Sequence, residues 1–188
     1  NKPIQVSRGG SNRNPLIAGD RVIFLSSFEG NPDVYSFSLK EKQLRNLSRS
    51  KGYDTQPTIS GDGEQVAFVS TRNGSMQLLA GNQKAIKGLK LNFSALNPSV
   101  ANDGTIAFED TNGKVYIVDR KGMLQNISYH KETDYTPRIS ANGRRVVFGS
   151  LRNNRRSICV YDRDLNKLNI VAEGFNAPPV LQGLGEDL

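Results

Sequence analysis

Few residues in this chain of 188 are of types that do chemistry on a bound substrate. It has one histidine, His130, and one cysteine, Cys159. A serine–histidine–acid triad would have to be built on His130, and no Gly-x-Ser-x-Gly elbow accompanies it. Zinc needs His and Cys ligands at paired spacings, which one of each does not supply. The run SGDGEQ has two glycines but lacks the Lys-Ser/Thr of a phosphate loop. The GDG and NDG turns lack the spaced acids and closing Glu of a calcium loop. His130 therefore reads as a loop residue. Cys159, inside the apolar run SICVYD, reads as a small core residue. No catalytic residue, metal site or cofactor is expected.

What remains are charges in positions suited to binding. Asp54 and Asp134 each stand three residues before a proline, at the start of a β-rich run. They are read either as carboxylates at the mouth of a channel or as caps on nearby backbone N–H groups. Arg138 follows Pro137 where related segments carry Leu16, Thr58 and Ser99, so a long cation stands in a column of small or apolar residues. Arg152, Arg155 and Arg156 cluster in SLRNNRRSI and are expected together on an exposed rim. The net charge is +7, which suits an acidic protein, a nucleic acid or an anionic surface. Aromatic residues make up 7% of the chain and tryptophan is absent, so platforms for stacking bases or sugars are poorly supplied. A protein or peptide is the preferred partner, an acidic one being among those the charge allows, and nucleic acid is not expected.

The elements that must position these charges come from an internal repeat. NRNPLIAGDRVIF, DTQPTISGDGEQVAF, ALNPSVANDGTIAF and DYTPRISANGRRVVF align on Pro15, Pro57, Pro98 and Pro137, about 40 residues apart. After each proline comes a short apolar run, then a glycine turn, then a β-rich run closing on Phe24, Phe68, Phe108 or Phe148. A polar turn, a third strand and a shorter outer strand complete the unit. In the second copy the outer strand lies unplaced within KAIKGLKLNFS. Sustained helical periodicity is missing. Four antiparallel strands per repeat is the construction of a propeller blade: one such sheet has two apolar faces, and radial stacking buries both.

The pattern is nearly complete in Asp54, Pro57, Ser60, Asp62, Gly63, Ala67, Phe68, Ser70, Arg72 and Gly74. It recurs in Asp134, Pro137, Ser140, Gly143, Phe148, Ser150 and Arg152. It resembles the TolB-type repeat of WD-like β-propellers. That resemblance implies a non-enzymatic scaffold that binds a protein or peptide through the channel mouth and rim, in the periplasm or cell envelope. Secreted and cytoplasmic locations are the alternatives. The same repeat also serves carbohydrate- or polymer-binding modules and propeller domains accessory to hydrolases, which gives the alternative function.

The expected architecture is one all-β propeller domain over 1–188, with repeats near 12–48, 54–94, 95–128 and 134–172. KPIQVS matches the outer-strand pattern and FNAPPVL puts Pro179 one further period on, so residues 3–7 and 177–182 are expected as the terminal strands of a split blade. A small closed ring of four blades is preferred, because an open arc would expose an apolar face. A section of a five- or six-bladed propeller is the alternative. No apolar run reaches the ~20 residues of a membrane helix. Asn1 stands in place of a start Met, which a removed signal peptide or a trimmed chain would each explain. A precursor with a lipid anchor fits the envelope reading.

Overall fold

The computed structural model describes residues 3–7, 9–72, 74–128, 131, 133–152 and 154–174. Among these, sixteen strands form four sheets, each of four consecutive antiparallel strands in sequential order. The first blade holds β1 (Asn12–Ala18), β2 (Arg21–Ser26), β3 (Asp33–Ser38) and β4 (Gln43–Asn46). The second holds β5 (Asp54–Ile59), β6 (Gln65–Ser70), β7 (Gln77–Asn82) and β8 (Ala85–Gly88). The third holds β9 (Ala95–Val100), β10 (Ile106–Asp110), β11 (Val115–Val118) and β12 (Leu124–Asn126). The fourth holds β13 (Thr133–Ile139), β14 (Arg145–Arg152), β15 (Arg155–Asp162) and β16 (Lys167–Glu173). β8 settles the outer strand of the second copy. No helix of the described residues is long and apolar enough to cross a membrane.

The hairpins close where the glycine turns require it. Gly63, Gly104 and Gly143 take φ of 79°, 82° and 73° at the same turn of three blades, a region that a side chain disfavours. The residue before each glycine braces the turn. Asp103 Oδ1 accepts from Thr105 N at 2.8 Å, and Asn142 Oδ1 accepts from Arg144 N at 3.0 Å.

Strand alternation gives each sheet two apolar faces, and neighbouring sheets bury them in three seams. Ile23, Leu25 and Val34 of the first blade meet Val66, Phe68 and Leu79 of the second. Ala67 and Leu78 meet Val100, Ile106, Phe108 and Val118 of the third. Val115, Ile117 and Ile127 meet Val146, Phe148, Cys159 and Tyr161 of the fourth. Phe68, Phe108 and Phe148 thus each face the preceding blade, and Phe24 lies on the corresponding face of the first blade. Phe68, Phe108 and Phe148 are fully buried, and Phe24 is buried at 4% exposure. β1 lies against β5, β5 against β9 and β9 against β13, so the first strands are innermost and the sheets fan outward from them.

The four blades form an open section of a propeller. The preferred closed ring is not formed: the three seams described join only consecutive blades, and Leu16 and Ile17 of β1 stay 40% and 68% exposed. The reason is the size of the wedge. A four-blade ring needs a quarter turn per seam, hence wide gaps toward the outer strands and bulky side chains to fill them. At the outer seam positions this chain carries Ser36 and Gly81 in the first seam and Ala80 and Val118 in the second, and only the third holds a bulky residue there, Tyr161. Residues 3–7 lie outside the sheets, and Val6 packs on Phe24, Tyr35 and Phe37, the face of the first blade turned away from the second. Residues 177–182 lie outside the described residues.

Truncating Phe108 to Ala is expected to cost about 3–5 kcal/mol in urea unfolding. Phe24→Ala is expected to cost clearly less, because an extended segment rather than a sheet covers that ring. Equal losses would show that the faces are packed alike.

Candidate functional site

The innermost strands carry an irregularity that repeats four times. The residue before each proline has positive φ: Asn14 53°, Gln56 52°, Asn97 48° and Thr136 54°. At the same point the pairing of the first and second strands slips, between Arg13 and Leu16, Thr55 and Thr58, Ala107 and Glu109, and Tyr135 and Arg138. Proline has no N–H for the ladder and disfavours a helical residue before it, so a bulge forms there. A left-handed non-glycine residue costs on the order of 1–3 kcal/mol and persists only when its surroundings hold it.

Those surroundings are a polar network running across three blades. Gln56 Nε2 donates to Asn97 Oδ1 at 3.1 Å, and Asn97 N returns a bond to Gln56 Oε1 at 2.9 Å. Asn97 Nδ2 donates to Glu109 Oε1 at 2.7 Å, and Thr136 N donates to Glu109 Oε2. The bulges free the N–H groups of Asn97 and Thr136 from their own sheets and turn them to the preceding blade. Sequence reasoning passed over these residues. Two signals were readable: a polar residue stands before every aligned proline, and Glu109 is an acid in a column otherwise holding Leu25, Val69 and Gly149.

Asp54 and Asp134 open their innermost strands but are buried, each 1% exposed, which corrects the expectation of carboxylates open at the channel mouth. Asp54 lies 3.6 Å from the Arg72 guanidinium, whose Nε donates to Ser70 Oγ at 2.9 Å. Asp134 pairs in register with Ser150, to whose Oγ Arg152 Nε donates at 3.0 Å. The recurring Asp, Ser and Arg form an internal latch in the second blade, whereas in the fourth the Asp134 carboxylate is buried with no hydrogen-bond partner among the described residues. Asp54 N donates to Pro32 O at 3.0 Å and Asp134 N to Gly113 O at 2.8 Å, tying each strand start to the preceding blade. Burial raises the Asp54 carboxyl above its ordinary range, against the opposing pull of Ser48, Ser70 and Arg72. Burial likewise pushes the Cys159 thiol up, with Arg152 opposing, so Cys159 is a core residue rather than a nucleophile.

The arginine cluster divides. Arg152 is half-buried and turned to Ser150, while Arg155 and Arg156 at the start of β15 are exposed. The expectation of three exposed rim arginines is corrected for Arg152, whose side chain folds back because Ser150 lies on the same face two residues earlier. Arg138 is half-buried on β13, and its Nη1 donates to Pro137 O at 2.9 Å. Burial pulls its guanidinium below the ordinary arginine range, and Glu109 offsets this. In its column Ser99 Oγ accepts from Ile139 N of the following blade at 3.1 Å. Arg138 thus stands on the side of the fourth blade away from the third. Among the described residues no group of three or more His, Cys, Asp or Glu is placed to hold a metal. His130 lies outside the described residues.

No protein-family model matches the chain. Two curated proteins do. A TolB homolog from Chlorobium luteolum is 23% identical over 153 residues, 78% of this chain and 35% of the relative. A TolB homolog from Chlorobium chlorochromatii is 29% identical over 143 residues, 72% of this chain and 32% of the relative. The repeats are of the TolB type. The chain spans about a third of the length of these TolB homologs. Among solved structures, TolB from Acinetobacter baumannii is 24% identical, with a TM-score of 0.60 over 92% of this chain and 44% of that one. An oligogalacturonate lyase in complex with manganese has a TM-score of 0.71 at 11% identity, over 90% of this chain and 55% of that one. Both show the propeller fold, and the lyase shows that the fold alone does not separate a TolB-type scaffold from an enzyme.

The buried latch makes stability depend on pH in a stated direction. Asp54 is raised in the folded state, so its contribution is fully present below the ordinary value of 3.8 and is lost as pH rises through its folded value. Stability of Asp54→Asn relative to the parent is therefore expected to improve between about pH 4 and pH 7. Urea midpoints at both pH values check this. A relative stability that falls over that range would show the Arg72 pair outweighing burial.

Proposed function

We propose that this chain is a non-enzymatic binding scaffold that takes a protein or peptide segment along the wall of its innermost strands, in the periplasm or cell envelope. The observation that carries this is the Gln56–Asn97–Glu109–Thr136 network. It places amide donors, amide acceptors and one carboxylate in a row on a wall held rigid by four strained bulges. An extended peptide offers alternating N–H and C=O groups, the complement of such a row. Preorganisation lowers the ordering cost of association. The likeness to TolB homologs supports both the role and the location.

Arg138, Arg155 and Arg156 serve as the cationic contacts of the rim, and the charge of +7 draws in an acidic partner. Asp54, Asp134 and Arg152 act beneath the surface, holding the strand starts that frame the wall.

Cross-linking in a cell-envelope extract is expected to recover one protein partner reproducibly. Recovery of none, with binding to acidic polysaccharides on a glycan array, would favour the polymer-binding alternative. With the partner in hand, Arg155→Glu with Arg156→Glu is expected to slow association about tenfold at low salt and flatten its salt dependence, leaving dissociation nearly unchanged. An unchanged on-rate would remove these arginines from recognition.

A further inference from the structure

The outer part of the seam between the second and third blades holds a cavity of about 510 Å³, a size ordinary for a small-molecule site. Its walls are apolar: Ala80 and Leu89 on one side, Val100, Ile106 and Val118 on the other, with Leu91 between. These residues are continuous with the buried interblade core.

Register explains why the gap opens here. Ile106 pairs with Val118 in the third blade, Val146 with Tyr161 in the fourth and Val22 with Phe37 in the first. Val118 thus stands where the first and fourth blades carry an aromatic ring and the second carries Gly81. Tyr161 fills the next seam, fully buried, with its hydroxyl bonded to Gln125 and Asn166. Across the gap, Ala80 pairs with Ala67, where the third blade pairs Ile117 with Ala107. Two undersized side chains face each other. In the first seam, where Ser36 and Gly81 are also small, Leu47 and Ile86 pack in.

The rim is cationic. Lys87 and Lys90 border the cavity from the second blade, and Arg120 and Lys121 from the turn between β11 and β12. All four are exposed, and among the described residues none is ion-paired. Arg120 lies across Gly104, where a Cβ would stand 2.6 Å from its Nε. The one carboxylate at the rim, Asp119, is engaged in its own turn, accepting from Lys121 N at 2.9 Å and Met123 N at 2.8 Å. An apolar slot under four unpaired cations is complementary to an acidic head on an apolar tail.

We propose that this seam binds a single-chain amphiphile with an acidic head, an alkyl carboxylate or its phosphate or sulfate equivalent, with the tail between Ala80 and Val118 and the head among Lys87, Lys90, Arg120 and Lys121. A peptide fits less well, because its backbone polar groups would enter an apolar wedge without partners. The site touches the innermost strands only at Val100, shares no residue with the Gln56–Asn97–Glu109–Thr136 network, and does not depend on the function proposed for that network.

Titration calorimetry with dodecanoate below its micelle concentration is the test. Saturable one-to-one binding is expected, with dodecyltrimethylammonium binding at least about tenfold more weakly. Val118→Tyr with Ala80→Ile, which copies the side chains of the neighbouring blades, is expected to weaken dodecanoate at least about tenfold while keeping or raising the melting temperature. Should that variant fail to fold, Lys90→Glu with Arg120→Glu, both at the surface, is expected to reverse the head-group preference. Anionic vesicles that bind in the absence of any binding of free dodecanoate would overturn the proposal in favour of a bilayer surface. An acidic peptide that binds at the seam while dodecanoate does not would overturn it in favour of a peptide groove. Dodecanoate binding unchanged in both variants would overturn it outright.

Discussion

A four-stranded sheet with two apolar faces cannot be stable alone, and every larger feature of this molecule follows from covering both. At each seam the later blade lays its phenylalanine, Phe68, Phe108 or Phe148, against smaller aliphatic residues of the blade before it. Burial of the aromatic column and of the aliphatic residues facing it stabilises the stack, since a fully buried large apolar side chain contributes roughly 1.5–3 kcal/mol. The same packing turns the first strands inward and the fourth strands outward. The inner wall, the rim and the outer seams are therefore consequences of one repeated contact.

Strain is tolerated on the inner wall because that packing over-determines it. Asn14, Gln56, Asn97 and Thr136 keep left-handed backbone while the strands on both sides of each bulge stay paired. The freed N–H groups of Asn97 and Thr136 find partners only on the preceding blade. The bulges at Asn97 and Thr136 thus each couple two sheets. Wall rigidity is a property of the assembly and not of any single blade.

Charge is sorted by depth. Asp54 is drawn beneath the surface into a latch with the half-buried Arg72 that joins strand start to strand end, where the ionisation of Asp54 is linked to folding. Arg155, Arg156 and the cations of the second seam remain in solvent, where they act at longer range on an incoming partner. One net positive charge in the composition therefore divides into structural and recognition roles that no count distinguishes. Small residues are sorted too: at the second seam Ala80 and Val118 leave space, while at the third Tyr161 closes it.

The blade, its four strands and the buried phenylalanines were legible in the residues, because strand period, glycine turns and an aligned proline are local signals repeated four times. The TolB-type pattern was legible for the same reason. The placement of charge was not. Asp54, Asp134 and Arg152 look like surface groups along the chain, and they are buried only because the strands bring Ser70 or Ser150 and the preceding blade around them. Gln56, Asn97, Glu109 and Thr136 lie up to two repeats apart and become one network only when neighbouring inner strands touch. The open arc was decided the same way. Closure depends on the angle between sheets, and that angle is set by the summed volume of side chains from two blades, which neither repeat contains by itself.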